Sequence, residues 1–178
     1  MKTLNDNFIV KEYEDIKVVD NFFTEECLNI LKIRVLYSKF FDHRYNNYLS
    51  IDYLPKQDYL TDLITDEISK RFKVPEFERG WSFLYLQNSD GVCMHADPSI
   101  VNLNVWISSD ESINDAEKNG LNIYRILPPP DWTRQDWNND PDKARKYITN
   151  NNVEPLKIKY KSNRAVFFNG AHFHETNQ

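Results

Sequence analysis

The sequence predicts an α+β to mostly-β domain, a sandwich or barrel of short strands with helices packed on one side. Three observations carry this expectation. Two helical patterns, apolar at spacings of three and four, stand in the first half of the chain; from Trp81 the period falls to two; and six short runs with that period follow, punctuated by turn residues. A length of 178 residues suits one compact domain spanning 1–178.

The elements follow in order. Ile16 to Val19 is a β-branched run, read as a strand. Thr24 ahead of Glu25 and Glu26 suits an N-cap with acids in the first helical turn, where the helix dipole favours them. Cys27, Leu28, Leu31, Val35, Leu36 and Phe40 then make one apolar stripe, so a helix is expected to about Phe41, with Cys27 in the core. Tyr59, Leu60, Leu63, Ile64, Ile68 and Phe72 repeat the pattern between Pro55 and Pro75.

Strands are expected at Trp81 to Gln87, Val92 to His95 and Ile100 to Ile107. The third alternates, with Val101, Leu103, Val105 and Ile107 on one face and Asn102, Asn104 and Trp106 on the other. Further strands are expected at Leu121 to Arg125, Leu156 to Tyr160 and Arg164 to Phe168, the last two joined by a turn at Lys161-Ser162-Asn163. Leu127 to Asp131, with three prolines, is a loop, and a short helix near Asp142 to Thr149 fills the long connection.

Composition removes several function classes. The four glycines, Gly80, Gly91, Gly120 and Gly170, are too dispersed to build a phosphate-cradling loop of the P-loop or dinucleotide type. A net charge of −5 argues against whole-surface attraction to nucleic acid or anionic lipid. Lys157, Lys159 and Lys161, alternating with Ile158 and Tyr160, read as a solvated strand face, so no nucleic-acid partner is inferred. Cys27 and Cys93 form no CxxC, which suits a thiol-reducing compartment. With no signal-peptide pattern and no long apolar span, a cytoplasmic protein without membrane contact is expected. The aromatic residues (11 Phe, 10 Tyr, 4 Trp) suffice to fill a core and line a pocket as well.

One constellation carries chemistry. His95-Ala96-Asp97 sets an imidazole and a carboxylate two residues apart, on one side of an extended segment. Such a pair arises readily by chance and reads equally well as a hydrogen-bonded surface pair; a partner has to lift it. His174, just beyond the Arg164 to Phe168 strand, is that partner. Two histidines and one carboxylate suit Fe(II), leaving three adjacent coordination positions open. A zinc site recruiting Cys93 is the alternative on ligand chemistry, and His172, two residues before His174, is the alternative third ligand. Tyr85, Asn102, Asn104 and Trp106 are candidates to line the pocket beside the metal, with core filling as their other reading.

The ordered set from Met94 to Asp110, through Asn119-Gly120-Leu121-Asn122-Ile123-Tyr124 and the Pro-Pro-Asp-Trp at 129 to 132, to Asn163-Arg164-Ala165-Val166-Phe167-Phe168 and Phe173-His174-Glu175-Thr176, resembles the Fe(II)/2-oxoglutarate-dependent dioxygenases of prolyl-hydroxylase-like type. The resemblance spans about residues 80 to 178, with a weaker echo from Val18 to Cys27. It implies a double-stranded β-helix, or jelly roll, with the N-terminal helices packed on one sheet. It also implies His95, Asp97 and His174 as iron ligands, and 2-oxoglutarate and O2 as co-substrates for hydroxylation of a small-molecule or peptide substrate.

The family usually anchors the distal carboxylate of 2-oxoglutarate with an arginine or lysine on the strand after the last histidine, whereas this sequence stops at Gln178, four residues past His174. A longer parent chain is therefore expected, with Arg125 and Arg164 as the cations near enough in sequence to substitute. Two other readings stay open: a non-catalytic module of the same fold binding a metal or an organic acid, and a cupin-like metalloenzyme that uses no oxoacid.

Overall fold

The computed structural model describes residues 1–45, 48–86, 91–113, 115 and 118–176, which form ten strands and four α-helices. In chain order these are β1 (Ile9–Tyr13), β2 (Ile16–Asp20), α1 (Glu25–Leu36), β3 (His43–Arg44), β4 (Tyr48–Tyr53), α2 (Tyr59–Phe72), β5 (Gly80–Tyr85), β6 (Asn102–Trp106), β7 (Leu121–Tyr124), α3 (Arg134–Asn138), α4 (Pro141–Asn150), β8 (Leu156–Ile158), β9 (Arg164–Phe168) and β10 (Phe173–Thr176). The strands make three antiparallel sheets, ordered β1-β2-β9-β6, β10-β7-β8 and β3-β4-β5. The fold is thus mixed α/β. No helix among the described residues is long and apolar enough to cross a membrane.

Strand alternation decides what each face of the first sheet meets. Val19, Ala165 and Phe167 point one way and pack with Cys27 and Leu28 of α1 and Ile64 and Ile68 of α2, with Val101, Leu103, Val105 and Ile107 joining from the β6 side. Ile16, Val18, Val166 and Phe168 point the other way and meet Leu121, Ile123 and Ile158 of the second sheet, with Trp106 packed against them. The two faces of β6 are therefore used as its alternation predicts. A third cluster joins Met94, Ala96 and Phe173 to Ala144 and Ile148 of α4, so that helix covers part of the second sheet.

Local signals place the helix starts. The Thr24 side chain accepts from the Cys27 N–H, and Asp58 does the same for the Thr61 N–H at the start of α2; each such cap is worth about 1 kcal/mol. The Thr133 and Asp136 capping box opens α3, and Asp140 with Pro141 opens α4.

Several boundaries differ from expectation, each for a physical reason. Helix α1 ends at Leu36, short of Phe41, because Leu36, Tyr37 and Phe40 are exposed and no neighbouring surface is there to reward another turn. Val92 to His95 makes one isolated antiparallel bridge, His95 with His174, in place of a strand. Strand β1, exposed at every position, carries no burial alternation to reveal it, and β3, β4, α3 and β10 are likewise additions. Gln87, the expected end of the strand from Trp81, lies outside the described residues.

At the end of β2 the buried Asp20 carboxylate takes Arg164 Nε at 2.6 Å and Nη2 at 3.0 Å, with Lys161 Nζ at 3.0 Å. Burial alone would raise its pKa, but the hydrogen bonds from Arg164 and Lys161 and their charges outweigh that and hold it below the usual 3.8. A carboxyl lowered in the folded state contributes stability that is present above its unfolded pKa and is lost as pH falls through the folded one. Urea denaturation is therefore expected to show stability falling below about pH 4, with Asp20→Asn costing about 3 kcal/mol at pH 7 and flattening that acid limb. An unchanged acid limb in the variant would remove Asp20 as its source.

Candidate metal centre

Three side chains from two separated segments converge. Asp97 follows Ala96, whose N–H donates to Trp137 O at 2.9 Å and whose carbonyl accepts from Asn138 Nδ2 at 2.8 Å, so α3 clamps the His-Ala-Asp segment from outside. The Asp97 N–H donates to Gly170 O at 2.8 Å. His95 and His174 exchange both backbone hydrogen bonds, at 3.0 and 2.8 Å, which fixes them as a directly opposed antiparallel pair. Their rings consequently stand 4.2 Å apart between centroids, and the Phe168 ring meets His174 in a T-shaped contact with centroids 4.9 Å apart.

The hydrogen-bond directions settle what these groups present to one another. His95 Nδ1 lies 2.8 Å from Cys93 O, and His174 Nδ1 lies 2.9 Å from His172 O. A carbonyl only accepts, so each Nδ1 carries a proton, and a ring in its neutral form presents its lone pair on Nε2. The two Nε2 atoms face the Asp97 carboxylate, whose Oδ2 is 3.9 Å from His95 Nε2 and 3.5 Å from His174 Nε2. All three ligand atoms lie within 4.8 Å of one another. Ligands on a metal at about 2.1 Å sit about 3 Å apart, so modest side-chain rotation closes this set on one ion.

The electrostatics favour a neutral His95 and an ionised Asp97. Burial pushes the His95 imidazole below its ordinary pKa, and His174 beside it adds to the effect against the opposing pull of Asp97 and the Cys93 carbonyl. Burial would raise the Asp97 carboxyl, but the His174 hydrogen bond, the two imidazole charges and the Asn102 amide together hold it below the carboxylate range. Metal ligation requires neutral imidazoles and an ionised carboxylate, and the directions for His95 and Asp97 both lie that way.

The remaining sequence candidates are placed as follows. His172 precedes β10 in the turn, with Nδ1 3.6 Å from Asp15, so the ring that meets Asp97 is His174. Asn102, first in β6, donates from Nδ2 to Asp97 Oδ2 at 2.7 Å. Asn104 is one pleat further along the same face, and Trp106 lies at the far end of β6, about 13 Å on at the usual strand rise, packed on Tyr160. Arg164 opposes Trp106 at that far end and is bound to Asp20 and Lys159 O. Arg125 is bound to Tyr13 O, at 2.7 Å, and paired with Glu14 and Asp15. Tyr85 stands on the third sheet in an aromatic group with Tyr48 and Phe83. Cys93 is exposed and meets the site through its carbonyl, and Gln178 lies outside the described residues.

Ser99 and Gly170 are parts of this site that the sequence does not assign to it; their contacts to Asn102 and Asp97 come from two loops that only the fold brings together. Comparison of the chain with protein-family models, with curated proteins and with solved structures finds no match in any of the three.

Proposed function

We propose that His95, Asp97 and His174 hold one divalent metal ion, Fe(II) by ligand type, and that the chain is an Fe(II)- and 2-oxoglutarate-dependent oxygenase of the double-stranded β-helix type. The supporting observation is the convergence of two imidazole Nε2 atoms and a carboxylate oxygen, each ring turned so that its Nδ1 meets a carbonyl and its Nε2 is left to meet the carboxylate or a shared cation. When bound, Fe(II) with 2-oxoglutarate and O2 supplies the oxidation of an unreactive C–H bond, the oxoacid leaving as succinate and CO2. The chain's own part is to hold three ligands on one side, leaving adjacent positions for exchangeable groups, and to pack His174 against the apolar ring of Phe168. Asn104, one pleat beyond Asn102 on the same face of β6, is the further polar side chain of that strand offered to a bound co-substrate. The substrate is a small molecule or peptide.

A second reading, a metal centre that uses no oxoacid, draws on one observation: Arg125 and Arg164 both spend their guanidinium groups on other partners. A 2-oxoglutarate carboxylate would have to compete with Asp20 or with Glu14 and Asp15 for either one. Anaerobic addition of Fe(II) and 2-oxoglutarate separates the two. The oxygenase gives a weak visible charge-transfer band and then succinate on admitting O2; a protein that binds Fe(II) but gives neither is the metal module, and one whose Fe(II)-dependent O2 uptake ignores 2-oxoglutarate is the cupin-like enzyme.

A further inference from the structure

We infer that Asn102 is a positioning residue of the metal centre, orienting the Asp97 carboxylate, and that Ser99 and the bare backbone at Gly170 hold Asn102 in the orientation this needs. The inference rests on the metal reading above and concerns how the carboxylate ligand is aimed.

Asp97 is the least constrained of the three ligands. Each imidazole is locked by a carbonyl two residues earlier, whereas the carboxylate has, among the described residues, no such contact to its own segment and can rotate about its side-chain bonds. The Asn102 amide removes that freedom by donating to Asp97 Oδ2, the same oxygen that faces both Nε2 atoms.

The direction of the relay follows from chemistry. An ionised carboxylate only accepts, so Asn102 must turn its NH2 toward Asp97 and its carbonyl oxygen away. That oxygen meets the Ser99 hydroxyl, which therefore donates to it. The order is Ser99 O–H to Asn102 Oδ1, then Asn102 N–H to Asp97 Oδ2.

Gly170 is what leaves room for it. A Cβ built there would collide with Ser99 Oγ and lie 2.7 Å from Asn102 Oδ1, while the Gly170 carbonyl is already the acceptor for the Asp97 N–H. One residue thus anchors the backbone of the ligand and clears space for the groups that orient its side chain. The relay is also tied to a rigid element, since Asn102 opens β6 directly opposite Phe168, the ring in T-shaped contact with His174.

With one lone pair of Oδ2 engaged by Asn102, that oxygen keeps one lone pair for the metal, and the carboxylate plane is fixed by the hydrogen bond. Groups that orient a ligand typically change metal affinity 10- to 100-fold when removed. Titration with Co(II), following both affinity and the visible ligand-field band, is expected to show about 10- to 100-fold weaker binding and an altered band for Asn102→Ala, with the metal-free melting temperature close to that of the unmodified chain. Ser99→Ala, which removes only a hydroxyl, is expected to move affinity and band in the same direction by a smaller factor, and it keeps the test open should Asn102→Ala fail to fold. If the unmodified chain binds Co(II) and Ser99→Ala, with any folded Asn102→Ala, matches its affinity and band, the positioning role is overturned and the metal centre stands. Weaker binding that merely tracks a lowered metal-free melting temperature overturns it too. If the unmodified chain binds no Co(II), Mn(II) or Fe(II), the metal centre itself falls and this inference with it.

Discussion

Replacing His174 by alanine is expected to lower the association constant for a divalent metal by about 60- to 700-fold, while His172→Ala leaves it essentially intact. The magnitude follows from sharing the roughly 10–16 kcal/mol of a four-ligand structural metal site among its ligands, which gives about 2.5–4 kcal/mol for each, and 1.4 kcal/mol is a factor of ten. The contrast between the two histidines follows from the hydrogen bonds. His174 is locked with Nε2 3.5 Å from Asp97 Oδ2, whereas the His172 ring lies 3.6 Å from Asp15 and serves the site through its main-chain carbonyl, which alanine retains. A ligand that binds only the folded state raises the melting temperature by mass action, so thermal shift with Mn(II) or Co(II) reads the difference directly. The metal-dependent rise should be present in the unmodified chain and in His172→Ala and absent in His174→Ala. The reverse pattern would transfer the third ligand to His172.

The roles of these histidines show where sequence reasoning reaches and where it stops. His95, Asp97 and His174 were readable as a set from the His95-Ala96-Asp97 spacing, the place of His174 just after a strand, and the family resemblance, since the spacing alone arises readily by chance. That His174 and not His172 faces Asp97 depends on where β10 begins, and a four-residue strand after a turn has no periodicity long enough to announce itself. Helices α1 and α2 were legible because Thr24, the spacing of Tyr59 to Phe72 and the flanking prolines act locally. The use of both faces of β6 was legible because alternation over Val101 to Ile107 is geometric. Strands β1 and β4 were not, since an edge strand exposed throughout and a strand of mixed Tyr, Ser and Asp carry no clean burial pattern. The pairing of Arg164 with Asp20 was equally hidden, because it joins residues 144 apart whose proximity only the β2 and β9 register creates. The same limit applies to the Asn102 and Asp97 contact: the strand face of Asn102 was predictable, the loop that brings the carboxylate to it was not.

The largest loss of stability is expected at Phe22, which lies far from any ligand role. Its ring is fully buried where the end of β2 meets α2 and β9, edge-on to Phe23 at 4.9 Å and Phe167 at 5.9 Å and tilted on Phe72 at 5.7 Å. Phe72 in turn stacks on Phe167 at 4.6 Å, so Phe22 closes an aromatic group that ties the helical layer to the sheet carrying Phe168. Deleting a buried phenyl removes its transfer free energy and leaves a cavity that surrounding rings, held by their own packing, fill only partly. Phe22→Ala should therefore cost about 3–5 kcal/mol, and Phe22→Leu clearly less because most of the volume remains. At about 2–4 °C per kcal/mol for a chain of this size, the alanine variant should melt about 6–20 °C lower. The ring partners of Phe22 are Phe23, Phe72 and Phe167, so the metal-dependent rise in melting temperature should survive in whatever fraction folds, as distant effects add. Urea denaturation of the two variants, each with and without Mn(II), measures both quantities. A loss under about 1 kcal/mol for Phe22→Ala would mean that the aromatic group can collapse around the gap, and that α2 is held to the sheet by something other than these rings.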